Sequence, residues 1–365
     1  MNKKIWWVVG VAVVVFIMAA VNNGGKPTEN IKIAALLSMS GDASAWGENA
    51  QKAIELATEE FNQKGGINGR KIEMIYEDTG GDPKRAVAAF QKVTTIDRVI
   101  AVLGPLNQTE DAAVVPLINQ NNIATIIPGY LPLQNRKDLT NPLIVWMDAE
   151  LEAGRLAEHV FSQGIRTVGI IGTLDAWEST VSNAFAEKFK AVGGTVTEME
   201  TVQPDSSDMR LSATKVIASK PQAIFLGTYY QFVNSTKALS DQKYPGKLFG
   251  IEIDDYLAGE TAGWANGLVF IAPDYYTNDF VQVFTAKYER APGLPAGQSY
   301  DAANLLFSLL EKNIDRDDIL ELMKEFSSYN GVSGELTILP DGRPSLPTAL
   351  FELKEGKVVR IGELK

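Results

Sequence analysis

The sequence predicts an α/β protein built from two doubly wound parallel sheets. Short apolar runs alternate with amphipathic helical segments from residue 31 onward, which is typical of parallel sheets covered by helices. The same alternation starts again near residue 150. The chain has 365 residues, more than one hydrophobic core usually serves, so the sequence indicates two lobes.

The first half opens with a buried strand at 31–37 and a helix at 48–64, whose apolar side chains recur on one face. Gly65-Gly66 ends that helix, and Pro83 starts another that runs to about residue 94. The other predicted elements are strands at 71–77, 99–103 and 123–127, a helix at 109–120 and an extended segment at 143–147.

The second half repeats this order of strands and helices. The predicted helices are 150–163, 179–192, 207–219, 231–243, 278–290, 298–313 and 315–326, and the predicted strands are 167–171, 195–201, 223–226, 248–251 and 268–271. The tail carries strands at 334–339, 348–354 and 357–361, with hairpin turns at Asp341-Gly342 and Glu355-Gly356. We therefore expect the end of the chain to be antiparallel.

The amino terminus has the pattern of an export segment. Lys3 and Lys4 precede an apolar run at residues 5–21, which fits a cleaved signal and is also long enough to anchor the chain in a thin bilayer. Both interpretations of residues 1–22 stay open, and residues 23–30 are predicted to be a linker. Because the lysines lie on the N-terminal side, the rest is expected on the periplasmic or extracytoplasmic face.

Composition excludes several classes of function. The net charge of −11 disfavours nucleic acid as a partner. The chain has no cysteine, so it is not a lipoprotein and has no thiolate nucleophile or thiolate metal site. His159 is the one histidine, and the sequence shows no Walker or dinucleotide loop, so we expect no metal, no cofactor and no catalytic residue.

A ligand site is expected where parallel strands end, because open sheets bind ligands at the carboxyl ends of their strands. The residues that follow the predicted strands are mostly aromatic, acidic or neutral and polar, and include no lysine or arginine: Trp46, Asn107, Gln108, Gly129, Tyr130, Asp175, Trp177, Tyr229 and Glu252. Asp254 and Asp255 are expected to be solvated or to cap a helix. This composition suits a ligand with a cationic or donor-rich head and an apolar body.

Several short motifs carry a resemblance to a known family. They are Ser40-Gly41 with Trp46-Gly47, the run Lys64-Gly65-Gly66-Ile67-Asn68-Gly69, Asp78 with Asp82-Pro83, Gly104-Pro105 and Lys220-Pro221. Over residues 31–365 the chain resembles the type I periplasmic binding proteins, specifically the Leu/Ile/Val-binding branch that serves ABC transporters. The resemblance implies two lobes joined by three crossovers, which close on a ligand like a hinged clamp. It also implies lobe one at 31–147 plus 273–334, and lobe two at 148–272 plus 335–365.

The resemblance also assigns pocket positions. Trp46 matches the aromatic over the ligand side chain, Gly129 a backbone contact, Tyr229 a lobe-two tyrosine and Glu252 the acid that pairs with the ligand ammonium. Trp177 and Glu178 replace a tyrosine and the glycine after it.

Two positions depart from the family's pattern. Gln108 stands where a serine binds the α-carboxylate, and Leu131 where a hydroxyl holds the amino acid. A buried carboxylate short of donors costs several kcal/mol, so these departures favour an amine, an amide, a modified amino acid or another small cationic or neutral solute. A shift of the match by one or two residues lets Asn107, Thr109 or helix amides serve instead.

The resulting hypothesis is a monomeric, non-catalytic solute receptor that delivers its ligand to ABC permease subunits. The alternative is an anchored ligand-sensing receptor of the same fold that signals through a partner. An enzyme is disfavoured, because the sequence shows no nucleophile–base pair.

Overall fold

The computed structural model describes residues 29–41, 43–131, 141–261, 263–274 and 276–364. The predicted signal or anchor at 1–22, and most of the predicted linker, lie outside the described residues. Within the described part, no helix combines the length and apolarity that a membrane crossing requires.

The first half forms a five-stranded parallel sheet with the strand order β2-β1-β3-β4-β5. Its strands are β1 (Ile31–Leu37), β2 (Ile72–Asp78), β3 (Ala101–Leu103), β4 (Ala124–Ile127) and β5 (Leu143–Ile144). Its helices are α1 (Ser44–Gln63), α2 (Pro83–Lys92), which continues as a π-helical turn at Val93–Asp97, and α3 (Gln108–Asn121). The order places β1 beside both β2 and β3, as in a doubly wound sheet.

The second half forms a seven-stranded sheet with the order β15-β14-β10-β9-β8-β6-β7. Its strands are β6 (Thr167–Thr173), β7 (Thr195–Val202), β8 (Ala223–Gly227), β9 (Lys247–Ile251), β10 (Val269–Pro273), β14 (Thr348–Lys354) and β15 (Lys357–Gly362). Strands β6 to β10 are parallel, and β14 and β15 add antiparallel, as the predicted Glu355-Gly356 hairpin requires. Its helices are α4 (Ala149–Ser162), α5 (Ala176–Ala191), α6 (Arg210–Ala218), α7 (Phe232–Asp241) and α8 (Asp255–Glu260).

A third, three-stranded sheet accompanies the remaining helices. It joins β11 (Ser328–Gly331), β12 (Gly334–Ile338) and β13 (Pro344–Ser345), after α9 (Asn278–Tyr288), α10 (Ala296–Lys312) and α11 (Arg316–Lys324). Helix α10 packs against α1 of the first half. Of the tail predicted for lobe two, only β14 and β15 join the seven-stranded sheet, because β12 pairs with β11 and β13.

The predicted fold class is confirmed: the chain passes three times between two α/β halves, after β5, after β10 and before β14. The boundaries of the lobes stay a prediction. Three short elements were given no range in the prediction, α8, β11 and β13, since a helix of six residues and strands of four or two residues carry too little periodicity to recognise. Helix α1 also begins at Ser44, four residues before the predicted start.

Candidate functional site

The site begins at the close contact between β1 and α1. A Cβ atom on Gly47 would lie 2.1 Å from the Ser38 carbonyl oxygen, so only glycine lets the first turn of α1 approach the end of β1 this closely. That approach fixes the position of Trp46, which is half-buried. The Trp46 indole Nε1 donates a hydrogen bond of 3.1 Å to the Tyr229 hydroxyl, which belongs to the other half of the molecule.

Tyr229 links this contact to an acidic side chain. Its hydroxyl donates to Asp254 Oδ2 at 2.8 Å, and Asp254 Oδ1 accepts from the Leu257 amide at the start of α8. Burial and the nearby Asp254 charge raise the pKa of Tyr229, so the phenol stays protonated and keeps donating. The prediction that Asp254 caps a helix is therefore confirmed. Asp254 therefore both caps α8 and accepts the hydrogen bond from the Tyr229 hydroxyl.

Trp146 completes the group, and sequence reasoning missed it. It lies two residues after β5, inside the apolar run at 143–147 that was predicted as one extended segment. The end of the strand therefore could not be recognised from the sequence. The fully buried Trp146 ring lies 5.5 Å from that of Trp46 between centroids, tilted by 43°. Its Nε1 donates to Glu252 Oε1 at 3.1 Å. Trp146 therefore connects Trp46 with the predicted acidic residue.

Glu252 is a carboxyl held in a costly environment. Only 4% of the residue is exposed, and its φ of 53° is left-handed, a conformation uncommon for a non-glycine residue. Burial raises its pKa to about 8, although the Trp146 hydrogen bond favours the charged form. Among the described residues no lysine or arginine forms an ion pair with it. Burial therefore favours the protonated form of Glu252 at neutral pH.

Another contact between the halves joins Gln108 to Asp175. Gln108 Nε2 at the start of α3 donates to Asp175 Oδ1 at 3.1 Å, and the same oxygen accepts the Trp177 amide at the start of α5. The Trp177 indole Nε1 is buried and has no hydrogen-bond partner within the described residues. Gln108 is thus placed at the junction of the halves, as predicted for a pocket residue, but its amide already donates to Asp175.

Glu178 shapes the loop that carries Tyr229. Its buried carboxylate accepts the Thr173 hydroxyl and the backbone amides of Tyr229 and Tyr230, the last two at 2.7 and 3.1 Å. Burial raises the pKa of Glu178, while these donors favour its charged form. The sequence analysis noted Glu178 only as a departure from the family's glycine. The structure gives it a role in positioning Tyr229.

The remaining predicted site residues are Asn107, Gly129, Tyr130 and Leu131. Asn107 caps α3, because its Oδ1 accepts the Glu110 amide at 3.1 Å. Gly129 approaches the Leu106 carbonyl so closely that a Cβ would be 2.6 Å from its oxygen. The Tyr130 hydroxyl donates to Glu150 at 2.8 Å, and Leu131 is buried.

The fold and the junction between the halves define a class of protein. Two parallel α/β halves with three passes between them, and aromatic and acidic side chains meeting across the junction, form a type I periplasmic binding protein fold. Within the described residues no group of three or more histidine, aspartate or glutamate side chains is suited to a metal ion.

Comparison with known families then places the chain. The family model described as "Periplasmic binding protein" matches residues 30–357, and the chain belongs to this family. The resemblance to the Leu/Ile/Val-binding branch is confirmed by curated relatives. The Leu/Ile/Val-binding protein homolog 3 of Brucella melitensis is 22% identical over 90% of this chain and 93% of its own length. The Leu/Ile/Val-binding protein BraC3 of Rhizobium johnstonii is 25% identical, over 55% of each chain.

Solved structures share the fold with different ligands. A branched-chain amino acid transporter substrate-binding protein from Streptococcus pneumoniae, in complex with isoleucine, superposes with a TM-score of 0.83, 21% identity and coverage of 91% of this chain and 99% of that one. A solute-binding protein of an ABC transporter from R. palustris, in complex with benzoate, gives 0.81, 19% identity and coverage of 92% and 96%. The shared fold therefore accommodates both an amino acid and an aromatic acid.

Proposed function

We propose that this protein is the solute-binding receptor of an ABC importer, on the extracytoplasmic side, and that it captures an amino acid or a related small polar or cationic solute between its lobes. The observation that carries the proposal is the group formed by Trp46, Trp146, Tyr229 and Glu252, which we name the aromatic–acid group. It combines three rings from both halves of the fold with a buried carboxyl that lacks a cationic partner among the described residues.

The ligand's cationic end is proposed to lie against Glu252. A cation beside a buried carboxyl lowers the carboxyl's pKa and recovers the cost of its burial, so binding and ionisation of Glu252 are coupled. This coupling adds to the attraction that the faces of aromatic rings exert on a cation. The positions of Gln108 and Leu131 favour a ligand other than a standard branched-chain amino acid, since Leu131 has no donor and the Gln108 amide is held by Asp175.

Closure of the lobes is proposed to follow binding, as hinged domains do. The hydrogen bonds that cross between the halves include Trp46 to Tyr229 and Gln108 to Asp175. Both involve residues at the ends of strands or starts of helices, so opening the lobes breaks them without disturbing either sheet. The closed form is the one that we propose the permease subunits receive. We propose that the receptor acts as a monomer.

Isothermal titration of the purified full chain tests this function. The panel holds the common amino acids beside amines, amides and aromatic acids, and we expect one of these classes to bind. Trp46→Ala is expected to weaken that binding, whereas the matched control Tyr256→Ala, at an exposed aromatic residue outside the aromatic–acid group, is expected to leave it unchanged. Binding that survives Trp46→Ala, or a panel without any ligand, contradicts the proposed function.

A further inference from the structure

Two helices begin at the junction of the halves with the same local pattern. Helix α3 follows its cap Asn107 and helix α5 follows its cap Asp175, and in each the third helical residue is a glutamate, Glu110 and Glu178. Both glutamates are completely buried, and burial raises the pKa of each. Burying a carboxyl group costs free energy, so the partners of these two side chains indicate what they do.

Each glutamate reaches the end of a neighbouring strand. In the first sheet α3 follows β3, the neighbour of β1, and Glu110 Oε2 accepts the hydroxyl of Ser38 at 3.1 Å, directly after β1. In the second sheet α5 follows β6, the neighbour of β8, and Glu178 accepts the amides of Tyr229 and Tyr230 just after β8. The two halves therefore place the same side chain at equivalent positions in the fold.

Ser38 connects Glu110 with Trp46. The Ser38 carbonyl oxygen lies against Gly47, where a Cβ atom would be only 2.1 Å away, so the position of Ser38 determines where the first turn of α1 lies. Trp46 belongs to that turn, and its indole donates across the junction to Tyr229. Each partner of this hydrogen bond is thus held, directly or through Ser38, by one buried glutamate.

The starts of α3 and α5 also contact each other. Gln108 Nε2, on the first residue of α3, donates to Oδ1 of Asp175, the cap of α5, at 3.1 Å. The two glutamates therefore project from helix starts that meet where the halves meet. Each glutamate fixes an aromatic loop relative to this meeting point.

We propose that Glu110 is the positioning residue for Trp46 in the first half, as Glu178 is for Tyr229 in the second, so that equivalent buried glutamates align the hydrogen bond between Trp46 and Tyr229. Glu110 acts through Ser38 and the close approach of α1. This inference rests on the proposed function, because it takes Trp46 as part of the binding site. The role needs an acceptor oxygen for the Ser38 hydroxyl and not a full charge, which agrees with a carboxyl whose burial disfavours ionisation.

The indole N–H signals of the ¹⁵N-labelled full chain report the position of Trp46 by nuclear magnetic resonance without any solute. The sequence has six tryptophans, and Trp46→Phe identifies the signal of Trp46. Tyr229→Phe removes the acceptor and marks where that signal lies when the hydrogen bond is lost.

Two variants of Glu110 separate its acceptor oxygen from its length. Glu110→Met keeps a long unbranched side chain and removes the acceptor for Ser38. We expect the Trp46 signal to move toward its position in Tyr229→Phe, and the Trp46 indole proton to exchange with water at least about fivefold faster, because one net hydrogen bond is lost. Glu110→Gln keeps an acceptor oxygen and is expected to keep the wild-type signal.

Ser38→Ala tests the same contact from the other side and serves if Glu110→Met does not fold. It removes the donor and is expected to move the Trp46 signal as Glu110→Met does. The double variant should show no further movement, because both changes remove the same hydrogen bond. An unchanged Trp46 signal in a folded Glu110→Met or Ser38→Ala protein overturns the inference.

The matched control is Thr58→Ala, which removes another buried hydroxyl of the first half. Thr58 donates to the Ile54 carbonyl at 2.7 Å within α1, so its loss should leave the Trp46 signal unchanged. The Trp264 indole, which donates to Thr236 in the second half, should keep its signal in every variant. Movement of the Trp46 signal in Thr58→Ala or in Glu110→Gln equal to that in Glu110→Met also overturns the inference.

The inference and the proposed function fail in different ways. If a member of the calorimetric panel binds and needs Trp46, while the Trp46 signal does not respond to Glu110→Met or Ser38→Ala, the receptor function stands and the inference is wrong. If the Trp46 signal responds as expected and no member of the panel binds, the positioning role stands and the proposed function is wrong.

Discussion

Replacing Glu252 by glutamine is expected to stabilise the unliganded protein at neutral pH while weakening the binding of a cation. Burial raises the pKa of the folded Glu252 carboxyl from 4.5 to about 8. The folded chain therefore holds this proton more tightly than the unfolded chain. The contribution of Glu252 to stability is fully present below pH 4.5 and is lost progressively as the pH rises toward 8.

The magnitude follows from the distance between the two pKa values. Each pH unit between them removes about 1.4 kcal/mol of stability, so the wild type loses about 3 kcal/mol between pH 4 and pH 7. Glutamine stays neutral, and its side-chain oxygen still accepts the hydrogen bond from Trp146. The Glu252→Gln variant should thus exceed the wild type by about 3 kcal/mol at pH 7, a rise in Tm of about 4 °C for a chain of this length.

Urea unfolding of both proteins at pH 4, 7 and 8 measures this difference, and the two unfolding curves should converge at pH 4. The matched control is Glu260→Gln at an exposed carboxylate of α8, which should not change stability with pH in this way. A variant less stable than the wild type at pH 7, or a difference that does not depend on pH, contradicts a raised pKa of Glu252 in the folded protein. Titration with a cationic ligand should show weaker binding to Glu252→Gln than to the wild type.

Three other changes have defined outcomes. Trp46→Ala should cost about 1–3 kcal/mol of binding free energy by titration calorimetry, because a large aromatic contact is lost; unchanged affinity would place Trp46 outside the site. Tyr229→Phe should lower ligand affinity about fivefold, since it removes the hydrogen bond that Trp46 donates across the junction. It should also enlarge the radius of gyration of the unliganded protein in small-angle scattering. No change in either quantity would exclude a role of this hydrogen bond in closing the lobes. Asp111→Asn should raise the urea midpoint of unfolding at pH 8 but not at pH 4. The Asp111 carboxyl lacks a hydrogen-bond partner among the described residues and burial raises its pKa, so the wild-type protein loses stability as the pH rises. Equal midpoints of variant and wild type at pH 8 would contradict this.

Much of the fold was predictable because it depends on local sequence. Strand β1 and the hairpin between β14 and β15 lie where an apolar run and the Glu355-Gly356 turn predict them. Both hairpin residues have positive φ, 52° and 72°, the backbone that such a turn requires. The predicted start of α1 was four residues late, because the start of this helix depends on a contact with a residue outside it. Gly47 allows the helix to begin against the carbonyl of Ser38, the residue that follows β1.

The candidate site was predictable only in part. Trp46, Tyr229 and Glu252 follow strands, and the rule for open sheets selects such residues. Trp146 was not predicted as a site residue, because the apolar residues around it continue the pattern of β5 and the end of that strand cannot be located from the sequence. Glu178 was noted only as a departure from the family's glycine, because no sequence pattern shows that a carboxylate accepts the amides of a loop 51 residues later in the chain.

The two-sheet α/β architecture follows from the sequence alone, because periodicity, turn residues and strand–helix alternation act over a few neighbouring residues. Which side chains meet depends on the tertiary structure. Trp46 and Tyr229 are 183 residues apart, and Trp146 and Glu252 are 106 apart. Their contacts depend on the order of strands in two sheets and on how closely the halves approach. The raised pKa of Glu252 has the same origin, because burial is a property of the folded chain and of no residue alone.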